Sequence, residues 1–221
     1  METLEKYYAR RAAEYEKIFA KPERQADLAR MRVDIPGLFV NQTVLEIACG
    51  TGYWTPLIAE RAESVLATDY NEEPLAIAKS KTYRRANVSF ARADAYALPD
   101  WKDRFSACYA GFWWSHIPLG RIEGFLTRLA KVLRPRALVA FMDNRYVEGS
   151  STPISRKDAE GNTYQIRRLA DGSSHEVLKN FPTPHDLRAR LGNEVRYVEY
   201  QYYWVASYRI MTGKTSGGGT Q

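Results

Sequence analysis

Glycines and an acidic residue in the first part of the chain have the types and spacing needed to hold a small ligand. The apolar run Val44–Ile47 contains Glu46 and is followed by Gly50 and Gly52. A glycine turn between a strand and a helix exposes backbone N–H groups to a ligand, because no Cβ stands in the way. Thr55 stands where a dinucleotide-binding turn has its third glycine, no phosphate-loop lysine follows, and the charge of Glu46 would repel a pyrophosphate. The pattern favours a ligand with positive charge and with amino or hydroxyl donors.

A second acid ends the next apolar run. Asp69 follows the glycine turn by about twenty residues, which is where a carboxylate can accept both hydroxyl protons of a ribose diol. Asp69 could equally cap the helix predicted after it, and one side chain can do both.

The apolar run, the acid and the glycine turn together resemble motif I of the class I S-adenosylmethionine (SAM)-dependent methyltransferases, which reads apolar run, acid, G-x-G-x-G. Ala48 replaces the first glycine, and the order of elements extends the resemblance over roughly residues 40–145. The resemblance implies SAM as cofactor and S-adenosylhomocysteine (SAH) as product. It places the methionine part at the turn, the ribose at Asp69, the adenine at Tyr70, Asp94 and Ala95, and an aromatic lid at the N-terminus. The implied cofactor residues are Tyr8, Glu46, Ala48, Gly50, Gly52, Asp69, Tyr70, Asp94, Ala95 and Phe112.

The segment Phe112–Pro118 would face the reacting methyl group in this family. Methyl transfer needs an aligned, desolvated nucleophile and sometimes the removal of a proton. His116 is the candidate general base, although it could instead be a structural histidine that hydrogen-bonds to the backbone. Three consecutive large aromatics cannot all face one core, so at least one should line the cleft. The predicted substrate contacts are Trp113, Trp114, Asn144, Tyr146 and Arg168.

Other features of the sequence limit the substrate and the chemistry. An arginine turned inward from a hairpin could bind a substrate carboxylate, although a solvated hairpin face is the simpler interpretation of Arg168. The Asn/Asp-Pro-Pro-Tyr/Phe segment of enzymes that methylate nucleobase or amide nitrogens is missing. A metal site formed by His116, Asp143 and either His175 or His185 is conceivable, but no pair has metal-site spacing, so no metal is expected.

Apolar strands that alternate with helical patterns predict a doubly wound, mostly parallel sheet of the Rossmann-like methyltransferase type. Two final strands in hairpin relation bring the predicted sheet to seven strands, and Asp171-Gly172 predicts a β-hairpin inserted after strand 5. The predicted strands are 43–47, 65–68, 88–91, 105–110, 137–142, 163–169, 174–178, 195–200 and 203–210, and the predicted helices are 2–20, 22–32, 53–62, 72–81, 119–133 and 184–191.

Length and composition indicate one domain. We expect it to span residues 1–212, with an N-terminal helical lid over 1–38, an inserted loop and hairpin over 145–180, and a disordered tail over 213–221. The positive charges that make up the net charge of +6 are scattered along the sequence, which argues against a nucleic-acid partner. No apolar run is long enough to span a membrane. Two cysteines without disulfide or zinc spacing and a start unlike a signal peptide favour the cytoplasm. The oligomeric state, monomer or homodimer, stays open.

The sequence therefore predicts a SAM-dependent methyltransferase that transfers methyl directly to oxygen, nitrogen or activated carbon of a small molecule. A relative that binds the cofactor without turnover is an alternative, because Glu46, Gly50, Gly52 and Asp69 report binding and not chemistry. A nicotinamide-dependent oxidoreductase is a further alternative, against which Thr55 argues.

Overall fold

The computed structural model describes residues 4–211. The predicted disordered tail, 213–221, lies outside them. The strands are β1 (Thr43–Ile47), β2 (Ser64–Asp69), β3 (Val88–Arg92), β4 (Phe105–Gly111), β5 (Leu133–Asn144), β6 (Arg156–Lys157), β7 (Thr163–Arg168), β8 (Ser174–Leu178), β9 (Arg196–Glu199) and β10 (Tyr203–Arg209). The helices are α1 (Leu4–Arg11), α2 (Gln25–Gly37), α3 (Thr55–Ala59), α4 (Glu72–Ser80), α5 (Ile122–Val132) and α6 (Pro184–Leu191).

The main sheet has seven strands in the order β3-β2-β1-β4-β5-β10-β9. Strands β1 to β5 pair in parallel, whereas β10 is antiparallel to both β5 and β9. This arrangement confirms the predicted doubly wound fold and its terminal hairpin. The strand order reverses between β1 and β4, which is the position where open α/β sheets bind ligands beyond the carboxyl ends of their strands.

Alternation along the strands supplies a core on each face of the sheet. On β1, Leu45 and Ile47 pack in one apolar cluster with Phe125 of α5, while Val44 packs in the other with Met31 of α2. Both faces are therefore covered, as a parallel sheet requires. No helix within residues 4–211 is long and apolar enough to cross a bilayer.

Several element boundaries differ from the predicted ones. The predicted helix over 2–20 is α-helical only over α1 and continues as a 3₁₀-helix over Ala12–Ala20. The helix after the glycine turn is short, and the helix predicted from residue 119 begins with a separate 3₁₀ turn before Ile122. The inserted hairpin β7–β8 gains a third strand, β6, which is only two residues long and has too little pattern to be recognised.

Candidate active site

The glycine turn after β1 has an alternating left-handed backbone. Ala48, Gly50 and Gly52 have φ angles of 52°, 56° and 73°. The Asp69 carboxylate stabilises the turn from the end of β2, because the Gly50 N–H donates to Asp69 Oδ2 at 2.9 Å. Oδ1 accepts from the Asn71 N–H at 3.0 Å. Asp69 thus connects the ends of two neighbouring strands, and its unused lone pairs are available to a ligand.

The two glycines of this turn have different surroundings. A Cβ on Gly52 would lie 2.9 Å from the Ala78 Cβ of α4, so this glycine permits the close approach of a helix. A Cβ on Gly50 would meet no atom closer than the Tyr15 Cε1 at 4.0 Å. Of the two glycines, Gly50 lines the cavity described below and Gly52 contacts α4, and the prediction that both admit a ligand stays a prediction.

Glu46 lies beneath the turn and is 2% exposed. Its Oε2 has no hydrogen-bond partner among the described residues, and burial raises the pKa of Glu46 from 4.5 to about 8. Glu46 is not among the residues that line the neighbouring cavity, and its contact with a ligand stays a prediction. Glu46 can influence a bound cation only through its charge and the turn above it.

A cavity of about 370 Å³ lies at the carboxyl edge of β1, β2 and β4, which is within the size range of small-molecule sites. α1 and the 3₁₀-helix after it cover the cavity, while the ends of the strands form its floor. Ten of the predicted site residues line it: Tyr8, Ala48, Gly50, Asp69, Tyr70, Asp94, Ala95, Phe112, Trp113 and His116. Tyr15, Tyr96 and Arg121 also line it. No motif marked Arg121, whose guanidinium lies 3.6 Å from the centre of the Tyr96 ring.

His116 is held by hydrogen bonds at both ring nitrogens. Nδ1 lies 2.7 Å from the Leu178 carbonyl oxygen, which can only accept, so Nδ1 carries the proton. Nε2 is then the acceptor for the Tyr8 hydroxyl at 2.7 Å. Burial, together with the charge of Lys179, lowers the pKa of His116 from 6.5 to about 3. Tyr8 already uses the lone pair of Nε2 in this structure, and the role of His116 as a direct base stays a prediction.

A second, smaller pocket of about 80 Å³ adjoins the cavity and shares Tyr8, Tyr15, Phe112 and His116 with it. Asn144 lines this pocket, and its Oδ1 accepts from Arg24 Nη1 at 3.0 Å. The positively charged lining residues are Arg11, Lys21, Arg24, Arg167 and Lys179.

Lys179 belongs to a buried network that the sequence analysis missed. Its Nζ donates to Asp143 Oδ1 at 2.8 Å and to Ser115 Oγ at 2.6 Å. Burial opposes the ionisation of Asp143, but Lys179 outweighs it, so the pKa of Asp143 lies below its ordinary value. No group of three or more His, Cys, Asp and Glu residues within 4–211 is arranged to hold a metal.

Three predicted substrate contacts lie elsewhere. Trp114 is 2% exposed and packs in the core, with its ring 4.9 Å from Phe141. Tyr146 is 43% exposed and lines neither space. Arg168 lies on the solvent face of β7, because alternation along the strand turns Arg167 inward instead. The sequence pattern predicted the strand β7 but could not show which face of β7 packs against the rest of the domain.

The chain resembles methyltransferases in sequence. Residues 44–136 match the family model described as "Methyltransferase domain". The demethylmenaquinone methyltransferase of Lactococcus lactis subsp. lactis (strain IL1403) is 31% identical over 121 residues, which are 50% of this chain and 44% of that protein. The 2-phytyl-1,4-naphtoquinone methyltransferase of Thermosynechococcus vestitus is 27% identical over 125 residues, 55% of each chain. The chain thus spans about half the length of the curated relatives that it matches.

Solved structures match over nearly the whole chain. The DhpI–SAH complex has a TM-score of 0.75 and 27% identity, and the match covers 94% of this chain and 95% of that one. The DhpI–SAM–HEP complex has a TM-score of 0.73 and 26% identity over 94% and 99% of the two chains. Both structural matches therefore extend well beyond residues 44–136, the part of the chain that matches the methyltransferase domain model.

Proposed function

We propose that this chain, which belongs to the class I SAM-dependent methyltransferase family, transfers a methyl group from SAM to a small molecule. The observation that carries the proposal is the cavity at the carboxyl edge, where the glycine turn and Asp69 meet. The solved DhpI complexes with SAH and SAM, which resemble this chain over nearly its full length, support the choice of cofactor.

The residues around the cavity fit the chemical groups of SAM. Asp69 lines the cavity with a carboxylate that can accept from the ribose hydroxyls, and Gly50 leaves space beside the backbone for the methionine part. Asp94 and Ala95 supply a carboxylate and a backbone N–H for the adenine. Tyr8 and Phe112 are aromatic lining residues to which a sulfonium cation is attracted.

When bound, SAM supplies a methyl group on a cationic sulfur, which an acceptor lone pair takes by direct displacement. The chain orients the acceptor and excludes water, since Tyr8, Phe112 and His116 border both the cavity and the smaller pocket. Tyr8 presents its oxygen to the acceptor. The Tyr8 hydroxyl donates a hydrogen bond to His116 Nε2, which fixes the position of the Tyr8 oxygen. His116 stays neutral at ordinary pH because its pKa is about 3.

The remaining features of the account are also proposals. Residues 1–212 form one domain, in which residues 1–38 act as a lid, and Tyr8 and Tyr15 covering the cavity support this role. We keep the cytoplasm as the location and a monomer or homodimer as the assembly. The scattered charge of +6 supports a small-molecule partner over nucleic acid.

Incubation of the protein with methyl-labelled SAM and a metabolite extract tests the proposal. We expect label to appear in a small molecule, and we expect calorimetry to detect binding of SAM but not of a nicotinamide dinucleotide. Binding of SAM without label transfer across many extracts would favour a non-catalytic relative. Binding of the nicotinamide dinucleotide in place of SAM would overturn the assignment.

A further inference from the structure

Three arginine side chains converge on the smaller pocket without a carboxylate partner. Arg11 reaches it from α1, Arg24 from the turn before α2, and Arg167 from the inward face of β7. Among the described residues, none of the three forms an ion pair with an acid, and no Asp or Glu lines the pocket. Positive charge therefore accumulates here from elements far apart in sequence.

The contacts that these arginines do make are with neutral groups. Arg24 is 7% exposed, donates to Asn144 Oδ1 at 3.0 Å and to Ser150 Oγ at 3.2 Å, and leaves its Nε without a partner. Arg167 donates to Gln165 Oε1 at 2.5 Å. Arg11 lies 5.3 Å from the centre of the Tyr15 ring. Arg24 is buried and Arg11 and Arg167 are half-buried, and charges withdrawn from water are costly unless they are paired, so a bound anion would complete this arrangement.

Burial and neighbouring positive charge both disfavour the charged form of Arg167. Burial lowers the pKa of Arg167, and the positive charges of Arg11 and Arg24 act in the same direction. Lys21 adds a further positive charge at the rim, where its Nζ lies 3.5 Å from the Ser150 carbonyl oxygen. Two acids lie near these cationic groups. Asp143 is already paired with Lys179, and Glu23, which accepts from Ser150 Oγ at 3.3 Å, lies outside the residues that line the pocket. A bound anion would relieve the repulsion between these groups.

We propose that the smaller pocket binds an oxyanionic group, a phosphate-like group or a carboxylate, carried by the methyl acceptor. This inference rests on the proposed function and deepens it, because the pocket meets the cofactor cavity at Tyr8, Phe112 and His116. Planar guanidinium groups suit oxyanions through paired N–H donors. Ser150, Ser151 and Thr152 also line the pocket and carry neutral hydroxyl groups. An acceptor anchored here places its neighbouring atoms toward the cavity.

An anionic acceptor also agrees with the chemistry of His116 and Tyr8. Neither residue is a strong base, because His116 is held neutral and burial raises the pKa of Tyr8. An acceptor oxygen that is already ionised, or one held beside the anchored group, needs little help in losing a proton. The cationic pocket and the weakly basic pair Tyr8 and His116 therefore both favour an acceptor that carries an oxyanionic group.

Calorimetric titration of inorganic phosphate and of acetate into the SAH-loaded protein, with glycerol as an uncharged probe, tests the inference. We expect Arg167→Gln to weaken binding of the preferred anion about tenfold or more, since a charge-assisted hydrogen bond is lost. Arg168→Gln is the matched control, because it removes the same charge from the adjacent position on the solvent face and should leave the anion affinity unchanged. Arg11→Gln repeats the test from a different element if the first variant fails to fold.

The outcomes separate this inference from the proposed function. Binding of phosphate rather than acetate, or the reverse, supports the site and identifies the oxyanion. If wild type binds neither anion, or Arg167→Gln, Arg11→Gln and Arg168→Gln all behave like wild type, the inference is wrong even when SAH binds normally. If SAH fails to bind but phosphate still binds with dependence on Arg167, the pocket remains an anion site and the methyltransferase proposal fails.

Discussion

At the residue scale, the surroundings of each carboxyl group determine what it can do. Asp69 accepts N–H groups from Gly50 and Asn71 and faces the cavity. Glu46 is sealed beneath the same turn, and its raised pKa of about 8 follows from burial. Strand ends and glycine spacing predicted that both acids lie near the ligand. The sequence could not show that Asp69, at the end of β2, lines the cavity whereas Glu46 of β1 is buried under the turn, because burial depends on how the turn packs over the strands.

The imidazole of His116 gives a pH-dependent prediction. His116→Gln should lower the free energy of unfolding by about 1–3 kcal/mol near pH 7, because two buried hydrogen bonds are disturbed. The difference should shrink on acidification. In the unfolded wild type the histidine gains a proton below about pH 6.5, whereas in the folded protein it stays neutral until about pH 3. Wild type therefore loses stability across this window through this histidine, and the glutamine variant lacks that contribution.

Urea denaturation of both proteins, near pH 7 and again at about pH 4.5, checks this prediction. A stability difference that stays constant or grows on acidification would mean that the buried imidazole is charged. In that case the hydrogen bond from Tyr8 to Nε2 would be reversed, and the assignment of Tyr8 as the group that meets the acceptor would be wrong.

At the element scale, the glycine turn after β1 lies between the helix α4 on one side and the cavity on the other. Gly52 allows α4 to approach, while Gly50 allows a ligand to approach, and both have positive φ angles. Ala48 has a φ of 52°, so this turn tolerates an alanine in the left-handed region where there is space for its side chain. Contact with Ala78, rather than backbone strain alone, should therefore distinguish the two glycines.

Gly52→Ala should lower the free energy of unfolding by roughly 1–3 kcal/mol more than Gly50→Ala, which is the cost of overpacking a close contact. The two variants share the strain of an alanine at positive φ, so the difference isolates the contact with α4. Gly50→Ala should instead weaken SAH binding while the protein stays folded. Denaturant titration of both variants measures the difference, and equal destabilisation would contradict the assignment of Gly52 to helix packing.

Features set by neighbouring residues in the sequence could be predicted, whereas features set by contacts between distant residues could not. Periodicity and turn residues sufficed for the seven-stranded sheet and for the hairpin around Asp171-Gly172. They placed Arg168 on a strand but could not show that its neighbour Arg167 faces inward, because a hairpin has no core face until it docks. Arg24 and Lys179 gave no local signal, since their partners Asn144 and Asp143 are distant in sequence.

At the scale of the whole molecule, the site forms where three distant parts of the chain meet. The sheet edge supplies Asp69 and the glycine turn, the N-terminal segment supplies Tyr8 and Arg11, and the inserted hairpin supplies Arg167. The hydrogen bonds from Tyr8 to His116 and from His116 to the Leu178 carbonyl link all three parts. Both the cavity and the smaller pocket therefore depend on the N-terminal segment as well as on the sheet.

Calorimetric titration of SAH into wild type and Asp69→Ala tests the central claim most directly. The account predicts that wild type binds SAH and that Asp69→Ala binds it about tenfold more weakly or worse, because the ribose hydroxyls lose their acceptor. Asp100→Ala is the control, since Asp100 is exposed and lies outside the cavity, and it should bind SAH like wild type. Equal affinity of wild type and Asp69→Ala, or no binding of SAH to wild type, would contradict the account.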